Sequence, residues 1–163
     1  MPYDCQEHCR GMKRLIVMKN ERRLSLLDKQ GNELFSCPVG LGFSPVHPKE
    51  REGDGKTPEG MYFICLKRET GKYGMALGIS YPNKSDAEKA FSHGIISEDE
   101  LEAITGACRD GRRPPWGTKL GGEIYLHGGG ASDWTAGCIA LSDADMKKLF
   151  PLAEERDEVI ILP

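Results

Sequence analysis

The sequence predicts a mainly β protein with a few short helices, an α+β chain of single-domain size. Its 163 residues include 20 glycines and 10 prolines, which suit short strands joined by tight turns better than a bundle of helices. Hydrophobic residues make up 39% of the chain, which is enough for one buried core. We therefore expect one domain over residues 13–163, preceded by a polar tail over residues 1–12.

Three strands are expected at the start of this domain, where apolar segments alternate with turn signals. They cover residues 14–19, 23–28 and 34–40 and should form a β-meander. The next segment, 43–60, is rich in proline, glycine and charge. A loop of this length in a small domain is expected to have a functional role.

The middle of the chain predicts two further strands and two helices. The strands are expected over residues 61–66 and 76–80, and the first helix over 84–91. Ser97 and Glu100 have the spacing of a capping box, which predicts a second helix that runs to Ile104. Residues 106–122, rich in glycine and proline, are expected to form a flexible cover.

The last third alternates polar and apolar residues over 123–127, which predicts a strand. Tyr125 and His127 should share the face that points away from the core. A helix capped by Ser142 and a buried strand over 158–162 are expected to complete the domain.

Charge and hydropathy exclude several functions. The formal net charge is −3, from 22 basic and 25 acidic side chains without a basic block, so nucleic acid is not an expected partner. No apolar run reaches the length of a membrane span, and the N-terminus has no signal-peptide core. We therefore expect no membrane span in this chain.

The six cysteines have neither the C-x-x-C spacing of zinc sites nor the density of a disulfide scaffold, so most should be small apolar residues. In the tail, Cys5, His8 and Cys9 could bind a metal or pair with each other, although a frayed terminus is the simpler expectation.

One histidine and one cysteine share the glycine-rich segment 127–141. A thiol is a poor nucleophile at neutral pH and becomes a good one beside an imidazole that takes its proton. Nearby glycines let backbone N–H groups approach a substrate carbonyl. His127 and Cys138 are therefore a candidate base and nucleophile, although a lone cysteine is more often a core residue and a lone histidine a satisfied surface one.

Two motifs in this order resemble those of the L,D-transpeptidase catalytic domain family, the YkuD type. His127-Gly128 followed by Thr135-Ala136-Gly137-Cys138-Ile139 is similar to the family's H-G and [S/T]-x-G-C motifs. The segment 53–60, GDGKTPEG, is similar to the family's G-D-x-x-T-P-x-G segment. The resemblance covers residues 14–163 and implies a β-sandwich of the YkuD type.

The resemblance also implies a reaction on peptidoglycan stem peptides, with no cofactor and no metal. Cys138 would attack the L,D bond after the diamino acid at position three, D-alanine would leave, and the acyl-enzyme would pass to an amine. A protein tethered to the cell wall is a further possible acceptor. Because this substrate lies outside the cytoplasmic membrane, we expect a periplasmic or cell-envelope location with an export signal absent from this chain. The location would be cytoplasmic if Met1 is the native start.

Individual roles follow from the same resemblance. His127 would act as base and acid, the Gly128 carbonyl would orient its ring, and the N–H groups of Gly137 and Cys138 would form an oxyanion hole. Thr135 should stabilise the loop rather than react. The predicted substrate contacts are Tyr125, Arg113, Trp134 and Thr135, with a place in the pocket wall an equal expectation for Trp134.

Two positions depart from the family pattern. Ala136 stands where many members have histidine or another polar residue, and Ala140 where many have an arginine suited to a substrate carboxylate. The candidate replacements for that arginine are the cations of the covering segment, Arg112, Arg113 and Lys119, although a solvated loop charge is the simpler expectation for any one of them.

Other functions stay open at this stage. Within enzymes, a hydrolase on the same scaffold, an L,D-carboxypeptidase or an amidase, would use water as acceptor. A non-catalytic cell-wall binding module would tolerate loss of Cys138. A zinc site built from His127, Cys138 and either His93 or Cys108 would match no common ligand spacing.

Overall fold

The computed structural model describes residues 12–163, which form eight strands and three helices. The predicted tail, apart from Met12, lies outside the described residues, as do Cys5, His8 and Cys9, so these predictions stay open. The strands are β1 (Arg14–Met18), β2 (Arg23–Leu27), β3 (Glu33–Pro38), β4 (Gly60–Arg68), β5 (Ala76–Ile79), β6 (Tyr125–His127), β7 (Ile139–Ala140) and β8 (Glu158–Leu162). The helices are α1 (Lys84–Ser92), α2 (Glu98–Arg109) and α3 (Asp143–Leu149).

The strands form one curled sheet in the order β3-β2-β1-β8-β4-β5-β6-β7. The first three make the predicted antiparallel meander, and β8 lies between β1, its parallel neighbour, and β4, its antiparallel one. Beyond β3 the chain reaches the opposite end of the sheet, where Gly40 and Ala140 exchange backbone hydrogen bonds of 2.8 and 2.9 Å. The sheet thus curls until its ends meet, and the predicted mainly β class with short helices is confirmed.

The inside of the curl holds the main hydrophobic core. Alternate residues of β1 and β2 are fully buried there, as the period of two in their sequences requires. Leu126 of β6 and Ile139 of β7 belong to the same cluster and are 0% exposed. Burial of each such side chain stabilises the fold by about 1.5–3 kcal/mol. The core therefore anchors β6, which ends at His127, and β7, which directly follows Cys138.

Two helices pack on each other outside the main sheet. Both begin with complete capping boxes, Asn83 with Asp86 for α1 and the predicted Ser97 with Glu100 for α2. Contrary to prediction, α2 continues past Gly106 to Arg109. Burial of residues on one face of its last turns outweighs the cost of a helical glycine, about 1 kcal/mol.

The segment 106–122 does not form the predicted flexible cover. Its first residues belong to α2, and the indole N–H of Trp116 donates to the Tyr81 carbonyl at 3.0 Å. The Trp116 ring also contacts Tyr125 edge-on, with centroids 5.8 Å apart. These contacts pack the segment against the body of the domain.

The last strands differ from prediction in two further ways. Strand β6 begins at Tyr125, since Glu123 has a φ of +53°, outside the range of extended strands. Strand β7, only two residues long, was not expected.

Among the described cysteines, Cys37, Cys65 and Cys138 have free thiols. Cys108 is disulfide-bonded. None of the helices in residues 12–163 is long and apolar enough to cross a membrane.

Candidate active site

A cleft of about 460 Å³ opens where four segments of the chain meet. They are the long loop 43–60, the hairpin between β4 and β5, the start of β6, and the turn that ends at Cys138. The predicted importance of the long loop agrees with its place in the cleft wall. The residues that carry the following argument are Lys49, Arg68, Lys72, Tyr73, Glu123, Tyr125, His127, Trp134, Thr135 and Cys138.

Strand pairing brings His127 and Cys138 into the same cleft. Strands β6 and β7 are parallel, with Leu126 opposite Ile139 and His127 opposite Ala140. One position earlier, the Tyr125 N–H donates to the Cys138 sulfur at 3.4 Å. The thiol therefore lies beside the first residue of β6, and the imidazole lies at the end of that same strand.

The imidazole of His127 is held by the following residue. Its Nδ1 lies 2.6 Å from the Gly128 carbonyl oxygen. Since a carbonyl can only accept, Nδ1 carries the proton, and Nε2 of the neutral ring has a free lone pair. Burial lowers the pKa of His127, and the bond to Gly128 only partly opposes this effect. The ring is therefore neutral at pH 7, as a general base must be.

The Cys138 thiol is also neutral at rest. Burial raises its pKa, whereas the Tyr125 N–H and the positive charge of Lys49 act in the opposite direction. The sulfur lies 3.5 Å from the Glu123 carbonyl oxygen, to which it donates. The left-handed conformation of Glu123 belongs to the turn that presents this carbonyl to the thiol.

Aromatic rings flank the imidazole on two sides. Tyr73, from the β4–β5 hairpin, stacks on His127, and Trp134 approaches it edge-on with centroids 5.5 Å apart. The Trp134 indole N–H donates to the Gly130 carbonyl at 3.0 Å. A side chain at Gly129 would lie 2.9 Å from this indole, so glycine is required there. Trp134 thus lines the cleft, where the sequence had placed it.

Thr135 organises the turn before Cys138. Its hydroxyl donates to the Cys138 carbonyl at 2.7 Å and accepts from the Gly137 N–H at 3.1 Å. These bonds agree with the expected stabilising role of Thr135. They also show that the Gly137 N–H is already used, which leaves the Cys138 N–H as the remaining donor of the predicted oxyanion pair.

The cations of the cleft differ from those that were expected. Lys49, Arg68 and Lys72 line it, and Glu52 and Glu123 are its acidic side chains.

The three candidate cations of the covering segment, among them the predicted substrate contact Arg113, lie elsewhere. Arg113 lies over the Trp116 ring at 4.8 Å, and Arg112 pairs with Asp110 at 3.1 Å. Lys119 lines a separate shallow depression. None of these three side chains is among the residues that line the cleft.

Sequence reasoning missed Lys49, Arg68, Lys72 and Tyr73. The length and charge of the loop 43–60 could have pointed to Lys49, whereas no local motif marks the other three. Within residues 12–163, no group of three or more histidine, cysteine or acidic side chains is arranged to hold a metal ion.

Comparison with known proteins gives one consistent family. The YkuD family model, described as the L,D-transpeptidase catalytic domain, matches residues 12–161. YafK of Escherichia coli (strain K12), whose name assigns it provisionally to the L,D-transpeptidases, is 32% identical over 97 residues. That alignment covers 56% of this chain and 37% of YafK.

Solved structures agree on the fold. The helical cell shape determining protein Pgp2 of Campylobacter jejuni superimposes with a TM-score of 0.65 at 19% identity, covering 98% of this chain and 55% of Pgp2. An L,D-transpeptidase of Mycobacterium smegmatis does so with a TM-score of 0.54 at 13% identity, covering 93% of this chain and 59% of that protein. The chain therefore spans little more than half of these structures and about a third of YafK.

Proposed function

Because this chain belongs to the YkuD family of L,D-transpeptidase catalytic domains, we propose that it is a cysteine peptidyltransferase that acts on peptidoglycan stem peptides. The observation that carries this proposal is the meeting of Cys138 and a neutral, oriented His127 in one cleft. The bond cleaved would be the L,D bond after the diamino acid at position three. We place this activity in the cell envelope, where peptidoglycan lies.

The proposed reaction begins with proton transfer from the Cys138 thiol to Nε2 of His127. The thiolate then attacks the carbonyl carbon, so that a C–S bond forms and the carbonyl electron pair moves to oxygen. When the C=O bond re-forms, the C–N bond breaks and the departing D-alanine amine takes the proton from the imidazolium. An acceptor amine reverses these steps and releases Cys138.

The resting protonation states support this sequence. A partly buried, neutral thiol and a buried, neutral imidazole avoid the cost of an ion pair before substrate binds. The bond from Nδ1 to the Gly128 carbonyl becomes charge-assisted when the ring is protonated, which stabilises the imidazolium. Gly128 is thus proposed as the orienting residue.

The cleft also offers contacts for the substrate. Arg68 and Lys72 are cations on the hairpin above the site, and in residues 12–163 no salt bridge is recorded for either of them. We assign to them the substrate carboxylates for which the arginine that many family members have at position 140 is a suited partner. Tyr125 and Trp134 would contact the peptide with their rings.

The test is incubation of the protein with tetrapeptide muropeptides and a D-amino acid, followed by mass spectrometry of the products and of the protein. We expect exchange of D-alanine for the added amino acid and a transient adduct on Cys138. Cys138→Ala should abolish both, whereas Cys65→Ala, which removes a thiol outside the cleft, should abolish neither. Loss of D-alanine without exchange would assign a carboxypeptidase instead. Unchanged muropeptides would contradict the proposal and favour a binding module.

A further inference from the structure

Lys49 is a buried cation beside the proposed reaction centre. Its side chain is 4% exposed, and its Nζ donates to Asp54 Oδ1 at 2.9 Å. An ammonium group has three N–H donors. In the described part of the chain, Asp54 is the one recorded hydrogen-bond acceptor of this group. Because Lys49 also lines the cleft, its remaining donors are available to an anionic ligand there.

The ammonium lies next to the backbone that precedes Cys138. The Lys49 Nζ is 3.6 Å from the position that a Cβ atom on Gly137 would occupy. That Cβ would also lie 2.8 Å from the Lys56 carbonyl oxygen, and Gly137 has a φ of +145°. Glycine is therefore required at 137, and the absence of a side chain lets the ammonium approach the nucleophile's turn.

Asp54 holds Lys49 in place without using up its charge. The carboxylate accepts hydrogen bonds from three backbone N–H groups as well as from Lys49. These groups belong to Glu50, Arg51 and Lys56, at 2.8, 3.0 and 3.1 Å. Because the three N–H dipoles also stabilise the negative charge of Asp54, this carboxylate only partly neutralises the Lys49 ammonium. The ammonium can therefore still attract negative charge in the cleft.

The oxyanion expected in acyl transfer needs more than one donor. The Gly137 N–H already donates to the Thr135 hydroxyl, so the oxyanion needs a second donor in addition to the Cys138 N–H. We propose that the Lys49 ammonium is this donor and that it binds the carbonyl oxygen of the attacked peptide bond. This inference rests on the proposed function.

The role of Lys49 is confined to one stage of the reaction. When the Cys138 sulfur bonds to the carbonyl carbon, the electron pair that moves to oxygen is stabilised by Nζ–H and by the Cys138 N–H. When the C–N bond breaks, the charge returns to the C=O bond and the amine leaves with the proton from His127. No proton moves to or from Lys49.

Lys49→Met tests this role through two reactions of the same thiol. Cleavage of the tetrapeptide passes through an oxyanion, whereas alkylation of Cys138 by iodoacetamide does not. We expect kcat for D-alanine release to fall about 100-fold, the effect typical of losing one oxyanion donor. Alkylation of Cys138, measured by peptide mass analysis at fixed pH, should slow much less than cleavage, because loss of the Lys49 charge removes only one of the interactions that lower the pKa of this thiol. Lys49→Arg, which keeps a charged donor, should recover part of the lost kcat.

Lys19 provides the matched control. It is another buried lysine in an ion pair, 2% exposed and 3.2 Å from Glu59, but it does not line the cleft. Lys19→Met should lower the Tm and leave kcat within about threefold of the wild-type value. Should Lys49→Met fail to fold, Lys49→Met/Asp54→Asn removes both charges of the pair and carries the same expectation.

Each outcome separates this inference from the proposed function. Wild-type protein that releases no D-alanine overturns both. Wild-type activity with a kcat within threefold in the Lys49 variant overturns the role of Lys49 alone. Equal losses in cleavage and alkylation also overturn it, because they would show that Lys49 acts on the thiol and not on the oxyanion.

Discussion

The ring of Tyr73 stacks on the imidazole of His127, with centroids 4.2 Å apart and planes inclined by 10°. Tyr73 belongs to the hairpin that joins β4 to β5, far from His127 in the sequence. Tyr73 itself is 40% exposed. The contact covers one face of the proposed base and keeps water from it. This arrangement leads to the first prediction.

Tyr73→Ala should lower kcat/KM for tetrapeptide cleavage about tenfold, because the imidazole loses the ring that fixes its orientation. Exposure of His127 to water should also raise its pKa, since burial is what lowers it. NMR titration of the imidazole protons measures this change. Tyr73→Phe keeps the stacked ring and should behave like the wild type. A pKa of His127 that is the same in the alanine variant would contradict the proposed shielding.

The pH dependence of kcat/KM should be set by the pKa values of His127 and Cys138, which are both neutral at rest. His127 must be unprotonated to act as base, so its lowered pKa places the acid limb below the ordinary imidazole value of about 6.5. The raised pKa of Cys138 places the alkaline limb above the ordinary thiol value of about 8.5. The charged groups around the thiol are Lys49, Lys72 and Glu123.

Initial rates between pH 4.5 and 10 would measure both limbs. A profile that rises only above pH 7 would show that the resting pair is not neutral imidazole and thiol, and would contradict the assigned protonation states.

Thr135→Val should destabilise the turn and impair catalysis together. The change leaves the Gly137 N–H and the Cys138 carbonyl without their partner, at a cost of about 1–3 kcal/mol in the free energy of unfolding. Urea denaturation measures the first effect and kcat the second. Thr135→Ser, which keeps the hydroxyl, should retain most of both.

Thr118→Val is the control for this experiment. Thr118 is also buried and accepts a backbone hydrogen bond, from Leu120 at 3.2 Å, but lies outside the cleft. We expect it to lower stability without changing kcat. If Thr135→Val keeps full kcat, the turn does not need this hydroxyl to place Cys138.

Asp86 should make the stability of the protein decrease as the pH rises. Burial raises its pKa from 3.8 to about 6, more than the bonds from Asn83 and Tyr62 can lower it. The folded protein thus holds this proton more tightly than the unfolded chain. The contribution to stability is fully present below about pH 4 and is lost as the pH rises through about 6. The loss should amount to about 3 kcal/mol.

Comparison of Asp86→Asn with the wild type, by urea denaturation at pH 4 and pH 7.5, isolates this contribution. In the wild type, Asp86 makes the free energy of unfolding smaller at pH 7.5 than at pH 4. The variant should lack this decrease. Glu88→Gln removes an exposed carboxylate from the same helix and should leave that loss unchanged. Identical pH dependence in wild type and Asp86→Asn would contradict the prediction.

Local patterns predicted most of the fold. Alternation over the first three strands and the capping box at Ser97 are interactions within a few residues, so they can be recognised without the rest of the chain. The short β7 could not be found this way. Its two residues become a strand only because β6 and Gly40 pair with them.

The proposed site also has one part that the sequence predicts and another that only the tertiary structure defines. The sequence by itself determined the candidate pair His127 and Cys138, since a glycine-rich turn joins them within eleven positions. The tertiary structure alone decided which other side chains reach them: Lys49 from a loop, Tyr73 from a hairpin, and no cation from 112–119. The physical reason is that charge and ring contacts depend on distance in space, and curling of the sheet brings together segments that are far apart in sequence.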